Sequence, residues 1–170
     1  MKKTHLILAL TLTATLLFST IVDTEAKSPR PHMEEDSKKG EESFIKHADE
    51  SLAIMEQAAL KMEVKGVAVV AYIPDNPAKS WISKMKVVSA LTSENASFLA
   101  IAYSKASEMA DTFQDSGTTD RKPLSGEFGY QGGVIKKTDS GHILAVFSGA
   151  TGEQDTAIAR EGIERLTVEK

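Results

Sequence analysis

The stretch GYQGGVIKKTDSGHILAVFSGATGEQDTAIAREGIERL, residues 129–166, decides the fold because it contains two strands, a turn and a helix. Val134 and Ile135 open the first predicted strand. The segment Asp139-Ser140-Gly141 has the residue types of a hairpin turn. The apolar run from His142 to Phe147 is too short for a helix and predicts the second strand. Two strands joined by so short a turn predict an antiparallel pair.

The helix after this hairpin has a marked beginning. Thr151 and, three residues later, Gln154 form a capping box, in which each satisfies a free backbone N–H of the other. Glu153 and Asp155 lie in the first turn, where the helix dipole favours negative charge. Glycines at 149 and 152 separate the preceding strand from this helix, so the chain is expected to turn sharply there.

Three pieces of this stretch and their order resemble the GlcG/HbpS family, small domains of a haem-binding or haem-degrading type. They are the Gly-Gly-Val-Ile strand entry at 132–135, the Ser-Gly-x-x-Gly-Glu-Gln-Asp turn at 148–155 and the Ile-Ala-Arg-x-Gly helix segment at 158–162. The segment Ile-Ala-x-x-Lys-Ala at 101–106 is similar to one in the family, which implies that Lys105 is a pocket residue. The alternative is a lysine that extends from the helix flank to solvent. The resemblance covers nearly all of the chain after its first 40 residues.

The remaining segments complete an α-β-β-α-β-β-α order. Apolar residues three and four apart predict a first helix from about Glu41 to about Met62. The other elements are predicted strands at 67–73 and 81–91, a helix at about 95–114 that stops at Gly117, and a long loop at 118–130. Adjacent strand pairs favour hairpins, so the predicted class is α+β, with an antiparallel sheet of four to five strands flanked by helices.

The N-terminal region is expected to lie outside this domain. Lys2 and Lys3 precede an apolar run from Leu6 to Val22, and Thr24-Glu25-Ala26 supplies small residues at a cleavage point. Residues 1–26 are therefore predicted as a signal peptide, with a transmembrane anchor as the alternative. Residues 27–40 carry prolines and charges and predict a flexible linker, and residues 41–170 form one predicted domain. The expected location is periplasmic or extracellular, without stable membrane insertion after cleavage.

Composition excludes several classes of function. The chain has no cysteine, which removes disulfides, thiol catalysis and thiolate metal sites. Its net charge of −4 and the lack of a basic block argue against nucleic-acid binding. Small-molecule ligands and self-association remain open, and the resemblance implies a homo-oligomer. Stripes of His47, Ser51, Ile54 and Ala58 on the first helix, and of Leu99 and Tyr103 on the second, are predicted to be free for a partner copy.

The candidate ligand-binding residues are found in the glycine-rich segments and at the family-like lysine. Glycines allow the backbone to approach a flat ligand closely, although they also satisfy turns that need positive φ. No phosphate-binding or dinucleotide motif is present in the sequence. The predicted ligand-binding residues are Lys105, Tyr130, Gly132, Gly133, Ser148 and Gly149.

The metal candidates are an acidic pair and two histidines. Glu161 and Glu164 lie one turn apart and can offer oxygen ligands to a hard cation. The resemblance implies an iron site at such a pair, whereas ordinary i,i+4 pairing with Arg160 and Arg165 explains the same residues on a wet helix face. His47 and His142 can each supply an imidazole to haem iron, although either can equally be a polar boundary residue.

Three functions are consistent with these observations. The first hypothesis is an exported protein that binds a small ligand without catalysis, with haem or a related tetrapyrrole as the leading ligand. The second is an enzyme that acts on haem or on a small organic acid. Ser148 lacks a nucleophile elbow and no motif places a base beside it, so no catalytic residue is assigned. The third is a structural or sensory partner protein.

Overall fold

The computed structural model describes residues 31–75 and 81–167, and the predicted signal peptide lies outside them. The described elements follow the predicted order: α1 (Pro31–Lys61), β1 (Gly66–Pro74), β2 (Ile82–Val88), α2 (Phe98–Thr112), β3 (Gly133–Lys137), β4 (Gly141–Ser148) and α3 (Gly152–Leu166). The four strands form one sheet in the order β2-β1-β4-β3, and every neighbouring pair is antiparallel. The predicted α+β class with an antiparallel sheet is confirmed. Among the described residues, none of the helices has the length and apolar character needed to cross a membrane.

The sheet is covered on both faces, and the side-chain alternation of its central strands explains how. Ala68, Val70 and Tyr72 of β1 face α1 and α3 on one side. Val67 and Val69 belong to a second core cluster, which α2 covers on the other side. Because β1 and β4 are buried on both faces, they are almost continuously apolar rather than alternating.

Helix α1 differs from its prediction at both its start and its exposed stripe. It begins at Pro31, so helix occupies residues where a flexible linker was predicted. Ser37 and Gly40 lie against the sheet, where the Tyr72 hydroxyl donates to the carbonyl oxygen of Ser37 at 3.1 Å. The prediction that one stripe of this helix is free for a partner copy is also wrong in part, because two of its residues, Ser51 and Ala58, are buried. The Ser51 hydroxyl donates to the Gly162 carbonyl of α3 at 2.7 Å.

The ends of the other two helices show one correction and one confirmation. Helix α2 ends at Phe113, which takes a left-handed conformation with φ of 53° and donates its N–H to the Met109 carbonyl. The predicted stop at Gly117 is therefore four residues late. The predicted capping box of α3 is confirmed: the Thr151 hydroxyl accepts from the Gln154 N–H, and the Gln154 side chain accepts from the Thr151 N–H, both at 3.3 Å.

Candidate functional site

A pocket of about 550 Å³ lies where β4 ends and α3 begins. Its volume falls in the range of small-molecule binding sites. Three parts of the chain form it: the first half of α2, the loop before β3 and the turn between β4 and α3. The lining residues are Ala96, Phe98, Ile101, Lys105, Gly117, Gly129, Tyr130, Gln131, Ser148, Gly149, Ala150, Gly152 and Asp155.

The floor of the pocket is a buried ion pair. Lys105 Nζ donates to Asp155 Oδ2 at 2.7 Å and to the Phe147 carbonyl oxygen at 2.8 Å. The side chains of the pair are 2% and 4% exposed. Asp155 Oδ1 accepts the N–H of Ala150 at 3.0 Å. The pair thus joins α2 to both sides of the turn that forms the pocket.

Burial and charge have opposite effects on the pKa of each member of this pair. Burial lowers the pKa of the Lys105 amine, and the charge of Asp155 opposes that effect. Burial likewise raises the pKa of the Asp155 carboxyl, against the Lys105 charge and backbone N–H groups. An ammonium has three N–H donors. Within the part of the chain that the structure describes, two of these donors have protein acceptors.

One wall of the pocket is the loop Gln114–Gly132, which is held by polar side chains. Arg121 binds both carboxylate oxygens of Glu127, at 2.7 and 2.9 Å. Glu127 also accepts the N–H of Leu124 at 2.8 Å. On α2, the buried Glu108 accepts the N–H of Gly117 at 3.0 Å. These bonds tie the loop to itself and to α2 although it has no regular secondary structure.

The Arg121–Glu127 contact makes the loop sensitive to acid. The hydrogen bond from Arg121, followed by that from the Leu124 N–H, holds the pKa of Glu127 at about 2, below the ordinary 4.5. A depressed carboxyl pKa stabilises the fold above about pH 4.5, and this contribution is lost as the pH falls toward 2. We expect the free energy of unfolding to lose about 2 kcal/mol over that window through Glu127.

Urea denaturation between pH 6 and pH 2.5 measures this contribution. The variant Glu127→Gln should have a flatter stability profile below pH 4.5 than the parent protein. Asp111→Asn is the matched control, because Asp111 contacts the same arginine at 3.1 Å from an exposed position. A Glu127→Gln profile parallel to that of the parent would contradict the assignment.

The predicted ligand-binding residues fall into two groups. Lys105, Tyr130, Ser148 and Gly149 line the pocket. Gly132 lies behind its floor, against Lys105 and Asp155, and Gly133 packs against Met109 and Ser116 at the start of β3. The sequence predicts Asp155 only as a first-turn acid, whereas the structure shows it as the partner of Lys105. Its position three residues before the buried Ile158 places it on the inner face of α3, which is a signal for its burial but not for its partner.

The two histidines do not line this pocket. His142 lies near the start of β4, about 20 Å along the strand from Ser148. Its ring stacks on Phe113 at 4.3 Å, and burial lowers its pKa. His47 lies half-buried on α1, where burial and then the charge of Arg165 lower its pKa.

The acidic pair on α3 is on a wet helix face. Glu161 and Glu164 are exposed, and Glu164 contacts Lys136 of β3 at 2.5 Å. Arg165 contacts Glu50 of α1 at 2.7 Å, not the predicted i,i+4 partner Glu161. Over residues 31–75 and 81–167, the structure has no group of three or more histidine or acidic side chains arranged to hold a metal ion.

We expect the double variant Glu161→Gln/Glu164→Gln to bind as much ferrous and ferric iron as the parent protein. Its free energy of unfolding should change by about 0.5 kcal/mol or less, because exposed ion pairs contribute little. Iron titration followed by calorimetry, together with urea denaturation, measures both quantities. Loss of saturable iron binding in the double variant would establish the iron site at this pair.

The fold of this protein is similar to that of a solved structure. Klebsiella pneumoniae protein ORFY, described by the family model DUF336, has 15% sequence identity and a TM-score of 0.51. The match covers 73% of this chain and 90% of that one. The likeness is one of fold. The second structure, Ybr137w protein, has a TM-score of 0.48 at 15% identity, over 85% of this chain and 91% of that one.

Neither a family model nor a curated protein matches the amino-acid sequence. The likeness to ORFY is one of fold alone, so the family resemblance of the sequence motifs stays an expectation. At this identity, a shared fold carries no ligand or activity from ORFY to this protein.

Proposed function

We propose that this protein binds a small ligand in the pocket between α2, the Gln114–Gly132 loop and the β4–α3 turn, without catalysis. The observation that carries the proposal is the construction of the pocket: a mostly apolar wall, exposed backbone and a fixed polar floor. Such a combination is typical of small-molecule sites, in which apolar surface provides affinity and few polar groups fix orientation. Lys105 is held by two acceptors, which suits a binding residue better than a free nucleophile.

We propose haem or a related tetrapyrrole as the ligand. Phe98, Ile101 and Tyr130 give the pocket apolar and aromatic surface for a flat macrocycle, and the glycines leave the backbone open to close approach. The lining has no histidine, so the phenol oxygen of Tyr130 is the group there that suits haem iron. This replaces His47 and His142 as the proposed axial ligands.

Titration of the purified protein with haemin tests this function, and metal-free protoporphyrin IX separates macrocycle binding from iron ligation. We expect a shifted Soret band for the parent protein at micromolar concentration. Tyr130→Phe keeps the ring and removes the phenol, so it should bind protoporphyrin IX but lose the ligand-dependent Soret shift. His142→Gln is the matched control and should behave as the parent does. Failure of the parent to bind either compound would remove tetrapyrroles as ligands.

A second candidate function is an enzyme that acts on a small organic acid. The observation that favours it is the ammonium group of Lys105 in the pocket lining, because an ammonium is a group that binds carboxylates. Turnover of a small hydroxy or keto acid by the parent protein, lost in Lys105→Met but kept in Lys136→Met, would support this alternative. Binding of such acids without product would exclude it.

We also propose export and self-association. Met85 and Val87 of the edge strand β2 are 36% and 38% exposed on the face that α2 covers only in part, and Leu91, three residues after β2, is 44% exposed. A closed symmetric assembly would bury this apolar surface. Light scattering on protein lacking residues 1–26 measures the mass, and N-terminal sequencing of exported material locates the cleavage point. A monomeric mass at all concentrations would exclude self-association. Retention of residues 1–26 would exclude export with cleavage.

A further inference from the structure

Two aromatic side chains project from the Gln114–Gly132 loop beside the pocket. Phe128 and Tyr130 are 49% and 54% exposed. Their rings stack on each other, with centroids 5.5 Å apart and planes inclined by 18°. Leaving two large aromatic rings half exposed forgoes the stabilisation that their burial would provide. Their mutual stacking recovers part of it and fixes one ring relative to the other.

The backbone that carries these rings is held firmly. The N–H of Phe128 donates to the Ser104 hydroxyl of α2 at 2.9 Å. The neighbouring Glu127 is locked by Arg121 and by the Leu124 N–H. These bonds restrict the backbone that carries the two rings, and preorganised contacts bind more tightly because less conformational entropy is lost.

The pair is continuous with the pocket. Tyr130 lines the pocket, whereas Phe128 stacks on Tyr130 without being part of the lining. A ligand in the pocket therefore meets the Tyr130 ring, and Phe128 keeps that ring at a fixed angle. An aromatic face held in this way favours planar conjugated rings, whose stacking a saturated chain of equal volume cannot reproduce.

We infer that the Tyr130–Phe128 pair is the element of this pocket that selects a planar conjugated ring system over aliphatic ligands. Tyr130 contacts the ligand, and Phe128 is a positioning residue that acts through Tyr130. The inference rests on the proposed function and adds the origin of its ligand preference. Stacking on a ligand needs the ring of Tyr130, whereas ligation of iron needs its phenol oxygen, so the two roles of this residue can be tested separately.

Paired titrations test the inference with two probes, metal-free protoporphyrin IX and palmitate. Tyr130→Leu and Phe128→Leu remove one ring each, and Tyr130→Phe keeps both rings. Leu124→Ala is the matched control, because Leu124 is an equally exposed apolar residue of the same loop outside the stacked pair. Dissociation constants for both probes give the ratio of planar to aliphatic affinity for each variant.

We expect Tyr130→Leu to weaken protoporphyrin IX binding about tenfold and Phe128→Leu about threefold, by the usual strength of aromatic stacking. Palmitate affinity should stay within twofold, and Tyr130→Phe and Leu124→Ala should resemble the parent. Unchanged protoporphyrin IX binding in both leucine variants would overturn the proposal that the aromatic pair selects planar ligands. It would leave the proposed ligand binding in the pocket untouched. An equal loss for both probes would also overturn the selection of planar ligands, since that shows a general loss of the pocket.

Two further outcomes separate this inference from neighbouring ones. If the parent protein binds neither probe, the proposed function fails and the selection role fails with it. If Phe128→Leu lowers the mass of an assembly in light scattering while probe affinity is unchanged, the aromatic pair is a contact between copies of this chain, which overturns the inference.

Discussion

Replacing Lys105 by methionine should lower the free energy of unfolding by about 3–5 kcal/mol, the usual cost of breaking a buried ion pair. The reason is the carboxylate left behind. Asp155 lies with its side chain 4% exposed, and without Lys105 it loses the positive charge 2.7 Å from its Oδ2 atom. Urea denaturation at pH 7, with the slope checked for two-state behaviour, measures the change.

The control for this experiment is Lys136→Met, which breaks a partly exposed pair with Glu164 and should cost about 1 kcal/mol or less. The double variant Lys105→Met/Asp155→Asn should recover part of the loss, because the amide removes the unpaired charge and keeps an acceptor for the Ala150 N–H. A cost for Lys105→Met no larger than that for Lys136→Met would show that the pair is not the buried link described here.

Replacing Gly132 by alanine should cost about 2–4 kcal/mol through two separate effects. Gly132 has a φ of 130°, a conformation that side chains with a Cβ rarely adopt. An alanine Cβ would also overlap Lys105 Nζ and the Cβ of Asp155, so the floor of the pocket would have to move. Thermal and urea unfolding measure the loss, which should be accompanied by weaker ligand binding.

Gly126→Ala isolates the conformational effect from the packing effect. Gly126 also has positive φ, at 97°, but a Cβ there would meet nothing within 4 Å. Its substitution should cost about 1 kcal/mol and leave ligand binding unchanged. If Gly132→Ala costs no more than Gly126→Ala, the close packing of Gly132 against the ion pair does not constrain the site.

Local signals in the sequence predict most of the fold. The capping box of Thr151 and Gln154 and the turn at Asp139-Ser140-Gly141 depend on residues close along the chain, and both lie where they were expected. The antiparallel sheet follows from strands that occur in adjacent pairs. These features are local, so one sequence is sufficient to locate them.

Features that depend on distant contacts were not predicted. Helix α1 begins at Pro31 in a polar segment, and the partners that hold this part, Tyr72 and Ser140, lie far along the chain. Phe113 ends α2 in a left-handed conformation, where its ring stacks on His142. The pairing of Lys105 with Asp155 spans 50 residues, so spacing along the chain could not reveal it.

In the candidate site, too, local sequence signals predict some residues, whereas contacts between distant residues are found only in the structure. The motif around Lys105 and the glycine-rich segments predict four residues of the pocket lining, Tyr130 among them, whereas the stacking of Tyr130 on Phe128 is a finding of the structure. The sequence predicts Tyr130 as a ligand-binding residue and gives no signal for Phe128. Only the folded loop brings their rings together, through the bond between the Phe128 N–H and Ser104.

The central claim is that the pocket between α2, the loop and the β4–α3 turn is the ligand-binding site. Amide chemical-shift mapping by NMR during titration with metal-free protoporphyrin IX tests it most directly. We predict saturable shifts at Gly129, Tyr130 and Gln131 and across 148–152, with Lys46, His47 and His142 unaffected. Shifts centred on His47 or His142, or on the exposed face of α3 around Glu161, would contradict the account.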